Sequence, residues 1–430
     1  MDREEPNDRV MTTGDETIMD ERMMLDRDMV KCRGAMYRAP TRLPSLYIHV
    51  PFCVRKCDYC AFYSHTLVDS PKDFVVMYLE GLEVEIAKRR NDAPHGISSL
   101  FIGGGTPTAL QDRDLERLME IIHRHFRLNR EAEQTMEGNP GTLISSKLDI
   151  LRRYGINRFS LGVQAFDDKL LRAVGRMHTA GQAREAITRL RTAGFNNLNL
   201  DLMFGLPMQD MRAWQASLEE ALSYSPEHLS LYGLMLEEGT PLYTRYTELT
   251  NAHSELKWLP DDDLQAEMQE WAVERLKQEG YSQYETSNFA RPGYECRHNL
   301  GYWRGADYIG LGPGGVSCLD RMRWKNIEEV GLYQSRLQDG QDLCEETEKE
   351  SLTWHECMAE RMILGLRLQE GVNLTAFRND FGVDLRDIYR DVLERYKNKD
   401  VFVVQGDYLC LNPKYSFVAN SILQEFVGLA

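Results

Sequence analysis

Cys53, Cys57 and Cys60 stand at C-x3-C-x2-C spacing directly after a short apolar segment, residues 46–50. Three thiolates at that spacing can ligate three irons of a cubane and leave the fourth iron open. Zinc knuckles and ferredoxin runs supply four ligands and close their sites, so a count of three is informative. An open iron can be chelated by an amine and a carboxylate together, and the methionine end of S-adenosylmethionine carries both. The triplet points first to an S-adenosylmethionine-dependent iron–sulfur protein, and second to a structural zinc site with a distant fourth ligand. Three core cysteines fit poorly, because the loop around them is polar and follows a strand end.

Other residues have a chemical task and a plainer alternative. The glycines of Gly103-Gly104-Gly105-Thr106-Pro107-Thr108 can let backbone N–H groups approach a carboxylate, or simply form a tight turn. Glu137, Gln164 and Asp201 suit the hydroxyls of a ribose, although each alone could be a satisfied polar group at a barrel rim. Arg176 can pair with a carboxylate, with a surface salt bridge as the simpler reading.

These residues need a frame that brings them together. Segments 46–50, 98–102, 134–137, 158–163, 199–204 and 228–236 are short, apolar or alternating, and separated by helical patterns. Ser70 is a candidate cap and Pro71 a first-turn residue for the first helix, whose Val75, Leu79, Leu82 and Ile86 share a face. Later helices should stop at Gly155 and Gly194. Six such units predict a parallel sheet with right-handed crossovers, an α/β fold curling into a partial (β/α)6 barrel. The cysteines and the polar residues then fall just beyond strand ends, so one mouth collects them.

Composition narrows the partners. A net charge of -16 argues against a nucleic-acid surface and against anionic lipid. Six of the nine cysteines (Cys32, Cys296, Cys318, Cys344, Cys357, Cys410) are isolated, which suits free thiols in the reducing cytoplasm. At 42% hydrophobic residues the chain can bury a large core, and no run has the length of a membrane span. Residues 1–42, acidic and holding seven of the 19 Met, read as a disordered tail with Met36 as an alternative start.

Residues 47–62, 103–108, 137–142, 158–166, 201–207 and 298–303 together resemble radical S-adenosylmethionine proteins related to oxygen-independent coproporphyrinogen III dehydrogenase. Within them the chain is most similar to a heme-chaperone subgroup. The resemblance implies a 4Fe-4S cluster on Cys53, Cys57 and Cys60, and S-adenosylmethionine held by Tyr47, Tyr59, Gly104, Gly105, Thr106, Glu137, Gln164, Arg176 and Asp201. The dehydrogenases carry a further cysteine two positions after the triplet, where this chain has Phe62. Tyr284-Glu285-Thr286-Ser287-Asn288-Phe289 and the His298-Asn299-Leu300-Gly301-Tyr302-Trp303 run resemble the chaperones, in which the latter is associated with heme. His298 is thereby implied as an axial heme ligand, against the plainer reading of a locally bonded loop histidine. After Gly314 the family commonly has Ala-His-Ser, whereas this chain has Gly315-Val316-Ser317.

The implied function is a heme chaperone passing heme to an acceptor protein, a membrane respiratory protein being one candidate. Radical decarboxylation of coproporphyrinogen III and radical modification of heme are the rival activities. The expected domains are a tail at 1–42, a core barrel at 43–290, a heme-associated segment at 291–350 and a winged-helix-like α+β domain at 351–430. That last domain should carry helices near 372–380, 385–397 and 416–427 around a hairpin turning at Gln405-Gly406-Asp407. With nine Lys plus Arg against eleven Asp plus Glu it offers DNA no basic face, and it is expected to help close the mouth. Residues 238–262 read as a linker.

Overall fold

The computed structural model describes residues 43–252 and 258–427. The acidic segment 1–42, with Cys32 and Met36, lies outside the described residues.

Alternation decides the architecture. Strands β1 (Ser45–Val50), β2 (Ile97–Gly104), β3 (Leu128–Gly138), β4 (Arg158–Gln164), β5 (Leu198–Phe204) and β6 (His228–Gly233) lie side by side, each parallel to the next. In β4, Phe159, Leu161 and Val163 alternate with Arg158, Ser160 and Gln164, and β5 sets Leu198, Leu200 and Leu202 against Asn199 and Asp201. In β6, Leu229 and Leu231 alternate with His228 and Ser230. The apolar set packs in one buried core with residues of the crossover helices, among them Leu79, Leu118, Leu151, Ile187 and Leu218. The polar set faces the lumen, where its members bond one another. Parallel strands buried on both faces usually read as continuous apolar runs, so this alternation marks a polar interior.

Helix α1 (Phe74–Arg89) starts later than Ser70 and Pro71 suggest. The Ser70 hydroxyl instead donates to the Thr66 carbonyl at 2.8 Å, closing the loop that carries the cysteines. The helices ending before Gly155 and Gly194 do stop at left-handed glycines, with φ of +82° and +84°. Part of the expected linker is a helix, Pro241–Ala252. Its Thr240 hydroxyl accepts the Tyr243 N–H at 3.3 Å, so the chain turns into helix as soon as a cap is available.

The segment 291–350 is part of the sheet and is no appendage to it. Helix Arg297–Trp303 leads into strand Tyr308–Leu311, which pairs parallel to β1 on its free side as a seventh parallel strand. Antiparallel strands Val316–Leu319, Met322–Lys325 and Glu350–Ser351 extend that edge, and Asn288–Ala290 with Ser282–Gln283 extend the β6 edge. The twelve-stranded sheet has two separate ends, so the barrel is partial. A side chain on Gly310 would overlap the Val316 backbone, which is why this edge turn needs glycine.

Beyond Leu352 a second apolar cluster forms around Met362, Phe377, Leu385, Leu409 and Phe426. Helix Trp354–Gly365 opens on a capping box between Thr353 and Glu356. The hairpin Phe402–Gln405/Tyr408–Leu411 turns at Gly406, φ +60°, and Val372–Asn373 adds a third strand. The expected helix 385–397 is broken into Leu385–Ile388 and Arg390–Tyr396. This unit meets the barrel at the amino-terminal end of its strands: Gln369 N–H donates to Tyr284 O at 3.0 Å, Arg304 pairs with Glu370 at 2.8 Å and Arg323 with Glu360 at 2.8 Å. These contacts lie at the barrel floor, not at the mouth it was expected to close. No helix among the described residues is long and apolar enough to cross a membrane.

Candidate functional site

The cysteine loop leaves β1 at Val50 and is tied down at both ends. Phe52–Cys53 pairs with His65–Thr66, and Leu67 N–H donates to Cys53 O at 2.8 Å. Asp58 fixes the middle: its N–H reaches Val174 O at 3.1 Å, its carbonyl accepts from Leu242 at 2.8 Å, and its carboxylate pairs with Arg245 at 2.7 Å. Gly175 has φ +72°, and any side chain there would overlap Asp58, so the loop packs directly on backbone.

All three thiols are half-buried. Thr106 Oγ1 donates to Cys53 Sγ at 3.6 Å and Arg176 Nη1 to Cys57 Sγ at 3.4 Å. Among the described residues no three His, Cys, Asp or Glu side chains lie close enough to share one ion. A cubane gives each thiolate its own iron, so its ligands need to be spread. Burial pushes the Cys53 and Cys60 thiols up, a bias that bound iron reverses because a coordinating thiol loses its proton. The donors fit an anionic cluster: three thiols, a hydroxyl and a guanidinium. Arg176 also donates Nη2 to Asn139 Oδ1 at 2.6 Å and to the Gly162 carbonyl, while its Nε is buried without a partner. A buried N–H without a partner is a donor that an acceptor from outside the chain would satisfy. Arg176 is thus half-buried, with its donors turned to interior acceptors, and makes no salt bridge among the described residues.

The remaining expected ligand residues converge around this loop. Tyr59 is half-buried, with Arg176, Cys57, Cys60 and Asp201 as its charged and thiol neighbours, so it links the cysteine loop to the barrel interior. Gln164 ends β4 with φ +68° where the ladder to β5 slips register, and its amide makes no hydrogen bond among the described residues. A non-glycine residue held there costs roughly 1–3 kcal/mol, a strain that clusters at ligand sites. Glu137 accepts Gly104 N–H at 3.3 Å. Burial first, and the charge of Asp201 second, push its carboxyl up to about 8.

The glycine run works differently from its sequence reading. Gly104 N–H is taken by Glu137, Gly105 N–H by Val50 O at 2.9 Å and Thr106 N–H by Phe52 O at 2.6 Å, so this is no open nest for an anion. Glycine is required for packing: a side chain on Gly103 would strike Glu137, on Gly104 the His49 ring, and on Gly105 the Phe52 backbone. Tyr47 belongs to the same support. Its hydroxyl lies 3.0 Å from His49 Nδ1, and His49 Nε2 lies 3.1 Å from Tyr63 O.

His298 departs from its implied role. It is 1% exposed, and both ring nitrogens are engaged, Nδ1 with Ser99 Oγ and Nε2 with Tyr302 OH, each at 2.9 Å. The His298 backbone N–H donates to Glu133 Oε1 at 3.1 Å, and burial drives the imidazole down to about 3. The ring is neutral, saturated with hydrogen bonds and set at the barrel floor near the start of β2, away from the mouth. An axial ligand needs a free nitrogen facing the iron, and His298 offers none.

The sequence reading missed the lumen itself. Arg158, Ser160, Asn199, His228 and Ser230 are all at most 5% exposed. The Arg158 side chain makes no hydrogen bond among the described residues, and its charge sits among Cys296, Glu133, Tyr284 and Asp201. The period-two alternation in β4, β5 and β6 was the available signal.

Comparison with known proteins accords with this geometry. Residues 47–221 match the Radical SAM superfamily and residues 352–414 the HemN C-terminal domain. Heme chaperone HemW of Bacillus subtilis (strain 168) is 34% identical over 388 residues, 90% of this chain and 100% of that protein. Heme chaperone HemW of Escherichia coli (strain K12) is 39% identical over 272 residues, 63% of this chain and 68% of that one. The solved structure of coproporphyrinogen III oxidase (HemN) from Escherichia coli, a Radical SAM enzyme, superposes with a TM-score of 0.76 at 24% identity, covering 91% of each chain. That likeness carries the fold.

Proposed function

The chain belongs to the HemW family within the radical SAM superfamily, and from that premise we propose that it is a heme chaperone, binding heme and passing it to an acceptor protein. The observation that carries this reading is the match to a heme chaperone over that protein's whole length. In this reading Cys53, Cys57 and Cys60 would hold a 4Fe-4S cluster, which with S-adenosylmethionine bound would supply radical chemistry on reduction. Glu137 and Gln164 would meet the ligand from the ends of β3 and β4, and Asp201, expected at a strand end, from the middle of β5. Arg176 braces Cys57 and offers its free Nε to an acceptor on the ligand or cluster. Tyr59, beside Cys57, Cys60 and Arg176, would line the ligand site from the cysteine side. Tyr47 and the glycines hold His49 and Glu137 in place beneath. With both ring nitrogens engaged, His298 would not hold the heme iron.

The rival reading is oxidative decarboxylation of coproporphyrinogen III, the activity of the structural neighbour's name. Phe62 speaks against it: at the position where the dehydrogenases have their further cysteine, this chain presents a ring 71% exposed. Anaerobically reconstituted protein incubated with coproporphyrinogen III, a reductant and S-adenosylmethionine is expected to yield no protoporphyrinogen. Accumulation of that product over many turnovers would transfer the assignment to the dehydrogenase.

A further inference from the structure

Neither the cluster loop nor the ligand face uses the Tyr284–Phe289 run, yet its first residue reaches into the lumen. Tyr284 OH accepts the Cys296 N–H at 3.3 Å, which leaves its own proton for His228 Nε2 at 2.8 Å. With Nε2 an acceptor, His228 carries its proton on Nδ1, 2.7 Å from Asn199 Oδ1. Asn199 then turns Nδ2 toward Asp201 Oδ1 and Ser160 Oγ, each at 2.8 Å. Ser160 Oγ donates to the other Asp201 oxygen at 3.2 Å. Every donor along the line points the same way, from Cys296 to Asp201.

The direction has a structural consequence. A flipped Asn199 amide would set its oxygen against the Asp201 carboxylate and its NH2 against the His228 Nδ1–H, pairing acceptor with acceptor and donor with donor. Tyr284 favours this tautomer, His228 Nδ1–H and the Ser230 hydroxyl, 3.2 Å from Asn199 Oδ1, together hold the amide, and the amide holds the carboxylate. Tyr284 is 9% exposed, His228 0% and Asn199 2%, so water has little access to substitute for a lost partner. Burial pushes the Asp201 carboxyl up, and the Asn199 donor is the foremost group opposing that push.

We propose that Tyr284, His228 and Asn199 are positioning residues that orient Asp201 toward S-adenosylmethionine, so that a segment beyond the barrel strands shapes the ligand site from behind. The proposal rests on the reading of Asp201 as a ligand residue. None of the three is among the residues read as ligand contacts. The relay differs from packing alone in that its effect depends on which atoms donate.

The test measures S-adenosylmethionine binding to full-length, anaerobically reconstituted variants by calorimetry, alongside iron content. His228→Leu is expected to weaken binding roughly 10- to 100-fold, as loss of an outer partner does to the group it orients, with iron unchanged. His228→Asn, whose amide N–H replaces Nδ1–H, is expected to recover most of the affinity. Tyr284→Phe, a smaller change that guards against misfolding, should weaken binding in the same direction. Native affinity in His228→Leu, or equal weakness in His228→Leu and His228→Asn, overturns the relay. Native affinity in Asp201→Ala overturns the Asp201 reading and the relay with it, so the two failures are separable.

Discussion

Replacing Cys57 with Ala strips the reconstituted protein of its cluster: iron falls from about four per chain toward none, and the visible absorption of the iron–sulfur chromophore goes with it. The expectation follows from where the other cysteines lie. Cys296 is 0% exposed, with its thiol 3.4 Å from Glu133 at the barrel floor. Cys344 and Cys410 are buried with their thiols near backbone carbonyls, each 3.1 Å away. Cys318 sits opposite Tyr308 on the extended edge, and Cys357 lies in a helix of the carboxyl-terminal unit. Among the described residues none of these five cysteines can swing to the mouth to replace a lost ligand. Iron and absorption retained in a Cys53/Cys57/Cys60 triple Ala variant would falsify the assignment.

S-Adenosylmethionine affinity is expected to rise with pH and level off above about 8, where Glu137 ionises in the ligand-free protein. Below that value the Glu137 carboxyl is protonated. The ligand's sulfonium is a fixed positive charge, so it favours the carboxylate and binding releases a proton. One released proton corresponds to at most about tenfold in affinity per pH unit. Glu137→Gln should flatten the profile and lower the plateau. In the ligand-free protein the same shift acts on stability with the opposite sense. The fold holds a proton that the unfolded chain releases above its ordinary value of 4.5, so this stabilising contribution is complete below that value and lost as pH rises through about 8. A flat binding profile in the native protein would place the sulfonium away from Glu137.

The strands were legible because they alternate, and the cysteine loop because its spacing is dense and local. Ends were less so. β3 runs from Leu128, well before the apolar residues that announce it, because its early residues pair with Ile97 at the barrel's amino-terminal edge. Strand Tyr308–Leu311 was hidden because it joins the sheet beside β1, more than 250 residues away, and no local pattern announces a partner at that distance. The glycine run shows how one composition serves two ends: open backbone suits a ligand, but here it admits Glu137, His49 and Phe52. His298 shows the same for a motif. A histidine flanked by aromatics reads as a heme ligand, while Ser99 and Tyr302, which occupy its nitrogens, come from a distant strand and the next helical turn. The alternation Arg158, Ser160 and Asn199, Asp201 was visible, and its meaning as a polar lumen needed only the inference that apolar partners face the helices.

Heme binding by the native protein and by His298→Ala tests the central claim most directly, followed by Soret absorption during titration of the reconstituted protein. The account predicts saturation at about one heme per chain, as a single-site chaperone requires, with the iron–sulfur absorption intact. It further predicts the same stoichiometry and spectrum for His298→Ala, even though losing a buried, doubly bonded ring should lower stability by about 1–3 kcal/mol or more. A native protein that shows no saturable Soret band would contradict the account.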